Sequence, residues 1–287
     1  MIIGKPISKV TLINNYLRRK KYMGKEEKNK KISISMKYPN GITKIVNGDT
    51  IDDLISSLEE INDGRFINEF LRDFPNLKEN QLKELDRIIL GTDNATFICN
   101  YAKQRQQGCN LKKFEDRLTK LGNVEVLIDL ARDVKGVDII KIQEAVIKSR
   151  NPKAIARFYE QVEGASFEKC KEALFELKAA GYLWVLFERD FINFPKAIDM
   201  NDWHKAESIV IESKDTDAIT MWAKKRHSSP NIQNAIITSK DPKAIFYFAR
   251  DVEGSNKHKL RKAMMSTNNK YWIGEWKAYF GLQGIFS

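Results

Sequence analysis

The five residues Asn151-Pro152-Lys153-Ala154-Ile155 return later in the chain as Asp241-Pro242-Lys243-Ala244-Ile245. Looser copies are Asp215-Thr216-Asp217-Ala218-Ile219 and Asn123-Val124-Glu125-Val126-Leu127. A second segment follows in step: Ala131-Arg132-Asp133-Val134-Lys135-Gly136 matches Ala249-Arg250-Asp251-Val252-Glu253-Gly254, with Gln161-Val162-Glu163-Gly164 as a third version. Ala145, Ala173 and Ala263 stand at one fixed distance beyond those glycines. A Ser or Thr lies two residues before the next Asx, as in Ser149/Asn151, Ser239/Asp241 and Thr267/Asn269.

Each feature has a physical role. Asx accepts hydrogen bonds from the free N–H groups of a first helical turn, and proline at the first helical position needs no donor. Glycine permits the positive φ that ends the first helix. Alanine in the second helix allows close approach of a neighbour. One such hairpin cannot bury its apolar face alone, so a recurring unit of this size predicts stacked hairpins, a solenoid. The expected class is therefore mainly α: an α-helical repeat domain over 62–287, after an N-terminal part over 1–61.

These residues resemble HEAT-like α-helical repeats in a short, degenerate form, over roughly residues 62–280. The units are shorter than HEAT units usually are. The resemblance implies a binding scaffold, since proteins of this kind mostly bind other macromolecules; a few bind DNA and very few are DNA glycosylases. Similar short repeats also occur in phage and mobile-element proteins.

Two regions depart from the pattern. Residues 172–205 hold an aromatic-rich stretch, including Tyr182, Trp184, Phe191 and Phe194, with irregular spacing, which reads as an inserted hairpin or a bent junction. The other is the N-terminal part. Lys31–Tyr38 alternates apolar and polar residues, Asn40-Gly41 follows, and Ile42–Val46 is again strand-like, a hairpin signal. Asp49 or Thr50 then caps a helix through Ile51, Leu54, Ile55, Leu58 and Ile61. An isolated hairpin is marginal in water, so this one needs its helix, a repeat or a second subunit to pack on. Its unpaired edge offers a route to homo-oligomers.

The formal charge of +11 is concentrated: residues 1–48 contain twelve Lys or Arg and two acids, whereas residues 49–287 contain 37 basic and 36 acidic side chains. Arg18, Arg19, Lys20 and Lys21 begin a basic arm. The arm reads as a solvated connector, as a phosphate contact or as a docking element for an acidic protein.

No apolar run approaches the roughly 18 residues that span a bilayer, and no secretory leader is expected. The odd set Cys99, Cys109 and Cys170 lacks zinc or thiol-exchange spacing, which points to a reducing, cytoplasmic setting. Asp199, Asp202 and His204 make the only local cluster of metal-ligand types, and they read as a polar helix start with Asp202 as cap. No phosphate loop, dinucleotide fingerprint, zinc-protease motif or nucleophile elbow occurs, so no cofactor, metal or catalytic residue is assigned.

Trp272, Trp276, Tyr279 and Phe280 fall along one side of a last helix. They either close the open end of the core or anchor a partner, since Trp and Tyr dominate interface hot spots. The leading expectation is a non-enzymatic scaffold, adaptor or inhibitor that docks on another protein complex, self-assembling and of phage type. The alternative is a nucleic-acid binder using the basic arm; a HEAT-like enzyme acting on nucleic acid is the third reading.

Overall fold

The computed structural model describes residues 32–37, 43–105, 108–193, 199–226 and 229–281. The protein is mainly α-helical, with one two-stranded antiparallel sheet towards its N-terminus. It forms two compact units, the first ending at Ile142 and the second beginning at Gln143. The Arg18–Lys21 cluster and the Asn40-Gly41 turn lie outside the described residues.

In the first unit, β1 (Ile32–Lys37) pairs with β2 (Thr43–Gly48), Ile32 opposite Gly48 and Lys37 opposite Thr43. Ile34 and Val46 face one another in this register and are buried, while Ile45 points outward. The sheet leans on α1 (Ile51–Ile61) through buried Leu54, Ile55 and Leu58. Gly48 permits this, because a Cβ there would stand 2.9 Å from the backbone nitrogen of Leu54. Thr50, of the two candidate caps, starts the helix: its hydroxyl accepts from the Asp53 N–H at 3.1 Å, and the Asp53 carboxylate accepts from the Thr50 N–H at 2.8 Å.

Helical hairpins follow: α2 (Gly64–Asp73) with α3 (Glu79–Gly91), α4 (Ala95–Arg105) with α5 (Leu111–Leu121), and α6 (Val124–Asp133) leading into α7 (Ile139–Lys148). First helices pack on first helices, α2 on α4 and α4 on α6. Second helices do the same, α1 on α3 and α3 on α5. α1 thus takes a second-helix place against α3.

The second unit repeats the scheme with α8 (Pro152–Gln161) and α9 (Phe167–Glu176), α10 (Ala180–Asn193) and α11 (Met200–Glu212), α12 (Thr216–Arg226) and α13 (Pro230–Ser239), α14 (Pro242–Asp251) and α15 (Lys257–Ser266), and a last first-helix, α16 (Lys270–Gly281). The aromatic-rich 172–205 stretch contains the end of α9, all of α10 and the start of α11. It is one more hairpin with a first helix of 14 residues, and its buried Leu183, Leu186 and Phe187 serve the same core.

The repeated residues hold repeated bonds. The Asn151 side-chain Oδ1 accepts from the Ala154 N–H at 3.2 Å, and the Asp241 carboxylate accepts from the N–H groups of Lys243 and Ala244. The hydroxyl two residues before each Asx bridges two segments: Ser239 donates to the Ile236 carbonyl at 2.7 Å and accepts from the Asp241 N–H at 3.2 Å. Ser149, Ser213 and Thr267 repeat the bridge. Gly136, Gly164 and Gly254 hold φ of 86°, 81° and 71° after the first helices.

A polar ladder locks second helices together. Gln143, in α7, donates to the Ser166 carbonyl and accepts from the Ser166 N–H, both at 3.0 Å. Gln233 accepts from the Asn256 N–H at 2.7 Å, and Glu115 from the Asp138 N–H at 2.9 Å. In each case a buried side chain supplies the acceptor for an N–H at the start of the next second helix.

Candidate interaction surfaces of the last hairpins

The C-terminal surface begins with the Ala-Arg-Asp motif of α14. Ala249 is buried, and the Asp251 carboxylate receives Arg250 and, from α12, Lys224 at 2.7 Å. The hydrogen bond from Arg250 holds the Asp251 carboxyl below its ordinary range against the opposing effect of burial, and Lys224 adds to it. The first unit repeats the triad as Lys103, Arg132 and Asp133. The motif therefore ties adjacent first helices together.

Arg250 also lies over the ring of Tyr247, 4.5 Å from its centroid. Phe246 beside it meets Trp272 at 5.5 Å, Tyr279 at 5.9 Å and Phe280 at 6.1 Å between centroids. The four aromatic residues read from the sequence as one side of the helix are divided by the fold. Trp276 and Phe280 are each 1% exposed and pack on one another, centroids 4.4 Å apart. Trp272 is half-buried and Tyr279 is 39% exposed. Tyr271, not singled out from the sequence, is 65% exposed and stands edge-on to Trp272. The helix thus plugs the core with two rings and shows a Tyr–Trp–Tyr margin beside Arg250.

The opposite layer, of second helices, carries a different pattern. Lys141, Lys169, Lys205 and Lys259 occupy equivalent outward positions in α7, α9, α11 and α15, with Asn231 in that place in α13. Lys141 reaches Asp116 at 2.5 Å and Lys169 reaches Glu144 at 3.0 Å, each an acid of the preceding second helix. Lys205 instead lies 4.7 Å from the Phe175 ring centroid. The place held by Asp116 and Glu144 is Ser208 in α11, Asn234 in α13 and Lys262 in α15. Lys259 accordingly makes no ion pair among the described residues.

The turns between hairpins change in the same way. In the second unit a residue with positive φ precedes each first helix: Arg150 at 53°, Lys178 at 48°, Lys214 at 57°, Lys240 at 54° and, before α16, Asn268 at 55°. A cation there complements the C-terminal end of the helix before it. Arg150 reaches Glu176 at 2.8 Å and Lys178 reaches Glu212 at 3.8 Å. Where Glu176 and Glu212 stand, α13 has Thr238 and α15 has Ser266, and Lys214 and Lys240 find no carboxylate among the described residues.

This was hidden from the sequence by averaging. The near-neutral body divides into residues 49–223, with 25 basic and 32 acidic side chains, and residues 224–281, with twelve basic and four acidic ones. A windowed charge count would have found it.

The Asp199–His204 cluster resolves into separate roles. Asp199, rather than Asp202, caps α11 by accepting from the Asn201 N–H at 3.0 Å; Asp202 receives Lys171 at 2.5 Å, and His204 is exposed. No group of three His, Cys, Asp or Glu side chains able to hold a metal occurs among the described residues. Cys99 and Cys170 are buried, and burial pushes the Cys99 thiol up to about 11. No described helix is long and apolar enough to cross a membrane. The chain matches no protein-family model, no curated protein and no solved structure.

Proposed function

We propose that the protein is a non-enzymatic scaffold built on HEAT-like repeats, which docks on another protein through the outward margin of α16. The observation that carries this is the placement of Tyr271 and Tyr279 in the open beside half-buried Trp272 and beside Arg250, which is itself ordered over Tyr247. Trp, Tyr and Arg are the residue types that supply most binding energy in protein interfaces. Buried Trp276 and Phe280 hold the helix beneath them, so the exposed rings lose little freedom on binding.

The partner surface that fits is apolar with acidic edges, because Lys270 and Lys277 flank the rings and make no ion pair among the described residues. The test is a binding measurement with a partner first isolated by cross-linking and then purified. Changing Tyr271→Ala with Tyr279→Ala should weaken that complex by at least about thirtyfold, the loss of a hot-spot contact of about 2 kcal/mol. An unchanged affinity in a variant with unchanged melting would remove this surface from the reading.

A further inference from the structure

We propose that the outward face of α13 and α15, with the turns that precede α12 and α14, binds the phosphate backbone of a nucleic acid. This site is distinct from the α16 margin and from the basic N-terminal arm.

Two independent ladders support it. Along the helix faces, the acid that neutralises each lysine in α7 and α9 is replaced by Asn234 and Lys262. Along the turns, the acid that meets Arg150 or Lys178 is replaced by Thr238 and Ser266. Both replacements fall in the same two hairpins. They leave Lys214, Lys240, Lys259 and Lys262 without an anionic partner among the described residues, and α13 and α15 contain no Asp or Glu at all. Unmatched like charge on one face is mildly unfavourable to the folded chain by itself, and an outside anion relieves it.

The chemistry between the lysines selects the kind of anion. The outward positions next to them are Asn231 and Asn234, exposed amides, and no large apolar side chain is exposed on either helix. An interface with a protein would need an apolar centre to be stable. Lys, Asn, Ser and Thr without an apolar centre are what contacts phosphate and sugar. Neighbouring helix axes lie roughly 8–10 Å apart, which spreads the cations along a line instead of gathering them on one point. A line of charge matches a polymer that carries about one negative charge per 1.7 Å of duplex axis.

The experiment is fluorescence anisotropy of the full chain with a short labelled duplex and the matching single strand, across a salt series. The first variant combines Lys214→Gln, Lys240→Gln, Lys259→Gln and Lys262→Gln. The second changes Lys169→Gln, whose lysine is already neutralised by Glu144, and the third changes Arg18, Lys20 and Lys21 of the arm to Gln. Melting of each variant is recorded; Lys169, Lys214, Lys240, Lys259 and Lys262 are all exposed, so the fold should persist in the first two variants. The quadruple variant should lose about tenfold or more in affinity and flatten the slope of log affinity against log salt by up to about 3.6, near 0.9 for each of four phosphate contacts. Lys169→Gln should leave the slope unchanged. A folded quadruple variant with the wild-type slope would overturn the proposal, most directly if the arm variant alone abolishes binding. So would failure of the wild-type chain to bind either probe at about 50 mM salt. Displacement of the duplex by polyglutamate as readily as by unlabelled duplex would overturn it in favour of an acidic protein.

Discussion

In the hairpin of α8 and α9, Arg150 at the entry turn reaches Glu176 and Lys169 on the second helix reaches Glu144, at 2.8 and 3.0 Å. In the hairpin of α14 and α15, Lys240 and Lys259 hold the same places and meet no carboxylate among the described residues. Much of what lies beneath is shared, although buried Ala156 and Tyr159 of the first correspond to buried Phe246 and Ala249 of the second. Asn151 and Asp241 cap alike, Ser149 and Ser239 bridge alike, and Phe158 and Phe248 are both fully buried. Exposed ion pairs contribute little to stability, of the order of 0–1 kcal/mol. The fold can therefore lose them at little cost, so the charge of this face is not fixed by what holds the hairpins together.

If the two hairpins share one core, equal damage to it should have equal effect. Phe158→Ala and Phe248→Ala should each cost about 3–5 kcal/mol in denaturant unfolding. A large inequality between them would show that the hairpins differ inside as well as outside. Next in size is the polar lock between second helices. Gln143→Ala and Gln233→Ala should each cost about 0.5–1.5 kcal/mol, because each removes the buried side-chain acceptor of a helix-start N–H, at Ser166 and Asn256 respectively. Gln143→Ala should be the worse, since it also abandons the Ser166 carbonyl.

The turns sharpen the contrast. A non-glycine residue held left-handed costs about 1 kcal/mol, so Lys240→Gly should raise stability by somewhat less than that. Arg150→Gly should gain less, because it also gives up Glu176. Melting curves of the two variants side by side decide it; equal gains would mean that the Arg150–Glu176 pair contributes nothing.

The smallest effect is electrostatic and lies in acid. The folded Asp251 carboxyl titrates below its unfolded value of about 3.9, so the unfolded chain takes up the proton first. Its contribution is complete above that pH and fades as the pH falls through the lower folded value. Melting temperature followed down through pH 3.9 should drop more steeply in the wild type than in Asp251→Asn; identical curves would remove Asp251 from the acid response.

Much of the fold was legible because its signals are local. Asn151, Pro152, Gly164 and Ser149 act within four residues of themselves, through caps, a fixed φ and a hydroxyl bridge, so their recurrence is enough to place the helices. The hairpin strands and the Thr50-capped helix were legible for the same reason. The stretch 172–205 was not, because α10 begins after Lys178-Ala179 without an Asx cap and runs longer than the other first helices of its unit. Its membership in the array shows only in what it packs on, α8 and α12.

The site was less legible than the fold. A helical spacing put Trp272, Trp276, Tyr279 and Phe280 together, but α14 and α15 decided which rings go inward, and they took Trp276 and Phe280. Sequence by itself determined the helices, their caps and the repeat. It also determined that residues 224–281 are rich in Lys and Arg. Only tertiary structure decided which cations are answered, because the acid that would neutralise a lysine lies one hairpin away, beyond the reach of any local rule. Lys169 and Lys259 follow the same pattern along the chain; Glu144 beside one and Asn234 in the equivalent place beside the other make them different surfaces.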